Sequence, residues 1–155
     1  MITGAASGIG RATTETLAAR DIEVIAIDLN ADLLAELENR DRIHPHHGDV
    51  SSNDTWTEVV ARAQTDLGAA PNLFVANAAQ VIVGTTLELS DDDWHTLFAT
   101  NLMGAVRGAR ALLPGMIAAG KGAVVLIGST DAFMAEQGLA AYCATKGAIL
   151  QFSRV

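Results

Sequence analysis

Thr3-Gly4-Ala5-Ala6-Ser7-Gly8-Ile9-Gly10, preceded only by Met1 and Ile2, is the stretch whose reading decides the fold. Glycine tolerates a tight turn and a close backbone approach that a side chain would block. The residues after it, 9–20, carry a helical pattern. A helix entered through such a turn presents free N–H groups and a partial positive charge at its first turn, which suits a phosphate. Three glycines taken alone fit an ordinary loop equally well, so the decision rests on the pattern of the downstream residues.

Short apolar runs alternate with longer helical ones along the rest of the chain. Strands are predicted over 23–28, 43–49, 72–77 and 122–128, the second interrupted by Pro45. Helices are predicted over 31–40, capped by Asn30, and over 54–67, stopping at Gly68. The longest covers 91–113, capped by Ser90 with Asp93 three residues on, and is ended by Pro114-Gly115. A last helix begins near Leu139 and runs to the chain end. Continuous apolar strands separated by helices imply a parallel sheet covered on both faces, a doubly wound α/β fold. The whole chain, 1–155, reads as a single partial domain. Its first strand is a stub of about 10 Å, which leaves neighbouring backbone groups partly unpaired.

Composition narrows the function. The chain has 155 residues, a net charge of −8 and 50% hydrophobic residues. The acidic balance argues against nucleic acid or an anionic membrane as a partner. No apolar run reaches the length of a membrane helix. The single Cys excludes an internal disulfide and a Cys-based zinc site, which fits the cytoplasm. His44, His46 and His47 lack a second ligand cluster and read as a strand-end surface group, so no metal is expected. Trp56 and Trp94 are expected over the core, and Cys143 as a small buried helix residue.

Asp28 ends the second strand 18 residues after Gly10. That is close to the spacing of about 20 at which an acid accepts hydrogen bonds from an adenosine ribose. A carboxylate there repels a 2′-phosphate, and no Lys or Arg at 5–9 or 29–31 offsets it, so NAD is expected over NADP. Further on, Tyr142 and Lys146 stand at i and i+4, one face of a helix. An ammonium roughly 4 Å from a phenolate contributes about 4 kcal/mol at an effective dielectric of 20. A phenol so placed can exchange a proton with an alcohol or carbonyl. Ser129 lies at the C-terminal end of the strand before them, the edge where open α/β sheets bind ligands. Asp131, Glu136 and Gln137, between Ser129 and Tyr142, are possible contacts of a polar substrate.

These motifs together resemble the short-chain dehydrogenase/reductase family, in its branch with a TGxxxGxG turn and a YxxxK pair. The resemblance covers essentially the whole chain and implies a Rossmann-type sheet. It implies cofactor contacts from Gly4, Ser7, Gly8, Ile9 and Gly10, from Asp28 and Leu29, and from Asp49 and Val50. It adds Asn77, Ala78 and Ala79 after the fourth strand, and Tyr142 and Lys146 themselves. The catalytic set it implies is Asn101, Ser129, Tyr142 and Lys146, with the Asn101 backbone carbonyl holding a relay water. The family's N-N-A-G is Ala76-Asn77-Ala78-Ala79 here, and the Ala79 methyl is expected to weaken cofactor binding. The expected reaction is hydride transfer between NAD and a small secondary alcohol or ketone. The alternative is a truncated, non-catalytic dinucleotide-binding fragment, because family members have a fuller first strand and continue past the last helix. The small-residue face Gly104, Ala105, Gly108 and Ala109 is either a close packing surface or, by resemblance, part of a subunit interface in a homo-oligomer, dimer or tetramer.

Overall fold

A computed structural model describes residues 1–155. The strands are β1 (Ile2–Thr3), β2 (Val24–Asp28), β3 (Ile43–His47), β4 (Leu73–Ala76) and β5 (Ala123–Leu126). The helices are α1 (Gly8–Ala18), α2 (Ala31–Ala35), α3 (Asn53–Leu67), α4 (Asp91–Phe98), α5 (Gly104–Ala118) and α6 (Ala140–Phe152). All strand pairs are parallel, in the order β3-β2-β1-β4-β5. The doubly wound α/β architecture read from the sequence is the one found.

The pleat explains why the strands are apolar throughout. Ile25, Ile27 and Phe74 face α3 and α5, where they pack with Trp56, Val59 and Leu112. Val24, Ala26 and Val75 face the other way, with Ile2, Leu34 and Leu37. Burying each large apolar side chain contributes about 1.5–3 kcal/mol. Trp56 stands edge-on to Phe74, with ring centroids 5.6 Å apart. The small-residue face of α5 is consumed here. A Cβ on Gly108 would lie 2.4 Å from the Phe74 ring, and one on Gly104 would lie 2.8 Å from Val50. Gly104, Ala105, Gly108 and Ala109 are buried within the chain, so this face serves as a close packing surface. Trp94, by contrast, is half-buried and stacks on Phe98, and Cys143 is half-buried rather than buried.

Five sequence expectations are corrected. The predicted helix over 91–113 is broken by a π-helical turn, Ala99–Met103, and does not stop at Pro114 but continues to Ala118. Pro114 removes one intrahelical bond, yet Leu112 and Met116 on either side are buried and hold the turn in place. The α2 helix ends at Ala35, with Leu37 buried in the turns that follow. Pro45 does not interrupt β3, which lies at the sheet edge, where a missing N–H is tolerated. The last helix ends at Phe152, before the chain does. Finally, the β1 stub leaves fewer orphans than expected. Val75 N–H donates to Met1 O at 2.9 Å and Ala5 N–H donates to Ile27 O at 3.1 Å, extending the ladder on both sides. At the opposite edge, Val124 and Val125 of β5 remain 36% and 43% exposed. No helix is long and apolar enough to cross a membrane.

Candidate active site at the carboxyl edge of the sheet

Every candidate residue follows the C-terminal end of a strand or lies on a helix packed against that edge. The glycine turn leaves β1 with Gly4 at φ +62° and Gly8 at φ +50°. The three glycines do different work. A Cβ on Gly10 would lie 1.9 Å from Gly4 O, so α1 sits directly on the turn. At Gly4 it would meet Asn77 Nδ2 at 2.8 Å. At Gly8 it would meet nothing within 4 Å, which leaves that side of the turn open. Helices α2, α3 and α4 are capped by the side chains of Asn30, Ser52 and Ser90, the last in a reciprocal capping box with Asp93. At α1, Ser7 makes no such bond, so the first-turn N–H groups are left without a side-chain cap.

Thr3 and Asn77 fix this turn. Thr3 Oγ1 accepts from the N–H groups of Asn77 and Ala78, both at 3.1 Å. Asn77 Nδ2 donates to Thr3 O and Gly4 O at 3.0 and 3.1 Å. The Asn77 amide is therefore turned to the glycine loop rather than to the open crevice. Asp28 accepts from Ala6 N–H and Asn30 N–H, each at 2.9 Å, one on each oxygen. Its second lone pairs remain for a ligand. Asp49 accepts from Ser51 N–H at 2.8 Å. The Val50 side chain is buried and its carbonyl accepts from Trp56 Nε1 at 2.9 Å, leaving only its backbone edge for a cofactor. Gly4, Ser7, Asp28, Asp49, Ala78 and Gln80 line a crevice of about 180 Å³. Ala79 also lines it, at a φ that is not positive, so its methyl costs space without backbone strain. Ile9 and Leu29 stand at 64% and 55% exposure, apolar side chains with no protein covering them.

Helix α6 places Tyr142 and Lys146 on one face, with Lys146 Nζ 5.7 Å from the Tyr142 ring centroid. Lys146 is 3% exposed and donates to Ile127 O at 2.8 Å, just past β5. Burial pushes its ammonium below the usual lysine range. Ser129 lies two residues beyond Ile127. Its hydroxyl donates to Asp131 Oδ2 at 3.0 Å and accepts from Asp131 N–H at 3.1 Å, capping a short 3₁₀ turn, Thr130–Ala132.

Asn101 sits in the π-turn and ties the two halves together. Its Oδ1 accepts from Gln80 N–H at 2.8 Å. Its Nδ2 donates to Gln80 O at 2.9 Å and to Thr145 Oγ1 at 3.1 Å. Thr145 in turn donates to Tyr142 O at 2.7 Å. Thr3, Gln80 and Thr145 carry no motif that marks them in the sequence. A hydroxyl one residue before Lys146 is the available signal for Thr145. Of the histidines, His47 ends β3 at this edge, where its Nε2 is 3.1 Å from Leu29 O, and the other two of the cluster are beside acids. His44 Nε2 is 2.8 Å from Glu23, and His46 Nε2 is 3.6 Å from Glu58.

A family model described as short chain dehydrogenase matches residues 1–155. The chain is 30% identical to 2,3-dihydro-2,3-dihydroxybenzoate dehydrogenase of Bacillus subtilis, over 99% of this chain and 60% of that protein. It matches the crystal structure of a short-chain dehydrogenase from Streptomyces avermitilis with a TM-score of 0.90 and 33% identity, over 99% of this chain and 57% of that one. It matches the closed form of a serine dehydrogenase complexed with NADP+ with a TM-score of 0.91 and 31% identity, over 99% and 64%. The chain thus spans about 60% of the length of these relatives. A sheet of this order, a glycine turn and a match along every residue lead to one assignment: the chain belongs to the short-chain dehydrogenase family, whose members are oxidoreductases that use nicotinamide cofactors.

Proposed function

We propose that this chain carries NAD-dependent hydride transfer between the nicotinamide and a secondary alcohol or ketone, with Tyr142 as general acid/base. The observation that carries the reading is the Tyr142–Lys146 pair on one face of α6, its ammonium buried at the end of β5. The cofactor fits the residues present. Gly8 leaves room at the open side of the turn, and the uncapped start of α1 offers N–H groups to a pyrophosphate. Asp28, held by two backbone amides, offers acceptors to ribose hydroxyls and repels a 2′-phosphate. That supports NAD. One relative binds NADP+, so the distinction rests on Asp28.

Bound nicotinamide supplies the hydride acceptor in oxidation and the donor in reduction. The chain's own residues handle the proton. In oxidation Tyr142 Oη takes the alcohol proton as the carbonyl forms, and in reduction it returns that proton to the carbonyl oxygen. Lys146 holds positive charge beside the phenol and reaches the nicotinamide ribose. Ser129 holds the reacting oxygen once its one hydroxyl proton, donated to Asp131 Oδ2 in the free chain, turns to that oxygen. Asn101 holds α6 in register with the loop after β4, and its backbone carbonyl serves a relay water. The cytoplasm and a homo-oligomer are part of this reading.

The second reading is a dinucleotide-binding fragment without turnover, favoured by the 60% span of a relative. One experiment separates them. The wild-type chain should bind NADH more tightly than NADPH and reduce NAD+ with a secondary alcohol. Tyr142→Phe should lose turnover by about 10²-fold or more and keep NADH binding. Binding without turnover in the wild type supports the fragment. Full activity in Tyr142→Phe overturns the role of the phenol.

A further inference from the structure

We infer that Asp131 selects substrates that carry an ammonium group on the carbon next to the carbinol, and disfavours carboxylates there. This deepens the proposed function and rests on Ser129 as the group that holds the reacting oxygen.

The Ser129 hydroxyl and the Asp131 side chain form one unit. Ser129 Oγ donates to Asp131 Oδ2 at 3.0 Å, and both residues are half-buried. An oxygen hydrogen-bonded to Ser129 lies about 3 Å from Oγ, so it stands within about 6 Å of the Asp131 carboxylate. A substituent one carbon further can reach that carboxylate. Its Oδ1 accepts no hydrogen bond from the protein, whereas Oδ2 is occupied. The charge is also unpaired. Asp131 takes part in none of the chain's ion pairs. Residues 122–145 contain no Lys or Arg. The next cation along the chain, Lys146, has its ammonium on Ile127 O.

An unpaired carboxylate beside the reacting oxygen sorts substrates by charge. An ammonium gains a charge-assisted hydrogen bond. A second hydroxyl gains a weaker one, and an alkyl group gains none. A carboxylate would be set against the Asp131 carboxylate, which takes part in none of the chain's ion pairs, and that is discrimination by repulsion. With half exposure taken into account, the effect is roughly tenfold in each direction.

Four alcohols that share the CH3–CH(OH)– unit test this. They are 1-amino-2-propanol, 1,2-propanediol, 2-butanol and lactate, assayed with NAD+ by NADH absorbance at a pH where the amine is protonated. The expected order of kcat/KM is amine, diol, butanol, lactate, with roughly a hundredfold between the ends. Asp131→Asn keeps an acceptor for the Ser129 hydroxyl and removes the charge. It should narrow the amine-to-lactate ratio by about tenfold or more. Should Asp131→Asn fail to fold, the wild-type ratio read against ionic strength serves instead, and it should narrow as salt rises. A ratio near one in the wild type, or one that neither the substitution nor salt alters, overturns the inference. A chain that binds NADH and oxidises none of the four overturns the catalytic reading and this inference with it. Oxidation of all four at equal kcat/KM overturns this inference alone.

Discussion

Replacing Gly10 with Ala tests the join between α1 and the glycine turn. The added Cβ would lie 1.9 Å from Gly4 O and 2.6 Å from Asn77 Nδ2. An ordinary contact is about 3.5 Å, well over an ångström longer than the first of these. The obstacle is backbone, so no rotamer change relieves it. Either α1 retreats from β1, loosening Ala5 and Ala6 in the core, or the turn reshapes and Asn77 loses its bonds to Thr3 O and Gly4 O. Overpacking costs about 1–3 kcal/mol, and each lost hydrogen bond costs about 1 kcal/mol. The gain from removing a glycine inside a helix is about 0.5–1 kcal/mol. The net loss is about 2–3 kcal/mol, or roughly 5–10 °C in Tm for a domain of this size. Gly8→Ala is the matched control. It adds a methyl at φ +50° with no atom within 4 Å, costing about 1–2 kcal/mol for the left-handed backbone. Thermal unfolding by circular dichroism and NADH titration should separate the two. Gly10→Ala should lose mainly stability. Gly8→Ala should keep most stability and lose NADH affinity. A Gly10→Ala chain that melts with the wild type would refute the close approach of helix and turn.

Three further outcomes rest on the same geometry. Asp28→Asn removes the charge at the ribose end, and the preference for NADH over NADPH should narrow by about tenfold, about 1.4 kcal/mol, in paired fluorescence titrations. Asn101→Ala removes three hydrogen bonds to Gln80 and Thr145; it should cost about 2–4 kcal/mol in denaturant melts and lower kcat with it. Lys146 is buried and its ammonium is held below the lysine range. The folded chain therefore releases that proton at lower pH than the unfolded chain does. The burial cost is present in full below the folded value and is relieved as pH rises toward the ordinary 10.5. Lys146→Met removes the titrating group and should accordingly lose the rise in stability with alkaline pH, read from melts across pH.

The sequence carried the fold because local pattern and global topology agree. Val24 to Ile27 are apolar on both faces, and the parallel sheet buries both faces. Asn30 and Ser90 read as caps, and each accepts an N–H three residues on. Pro114 misled because the bond it removes is local while the packing that overrules it, Leu112 and Met116 against the sheet, is not. The π-turn at Asn101 was hidden for the same reason, since its partners Gln80 and Thr145 are 21 and 44 residues away. Gly104 and Gly108 read as a small-residue stripe, but a stripe does not say what fills it; Val50, Trp56 and Phe74 do. For Tyr142 and Lys146 the shared helix face was legible from their spacing, while the role proposed for them came from the other motifs around them. The hydrogen bond between Ser129 and Asp131 was not legible, because an acid two residues on reads equally as a substrate contact.

Tyr142 is the only tyrosine in the chain, which makes the central claim directly measurable. With the tyrosine ring isotopically labelled, its NMR signals report one site without ambiguity. On addition of NAD+ the account predicts that the Tyr142 ring resonances shift and show contacts with nicotinamide protons, and that Gly8→Ala, at equal NAD+, shows neither. Saturable NAD+ binding that leaves the Tyr142 ring untouched would contradict it.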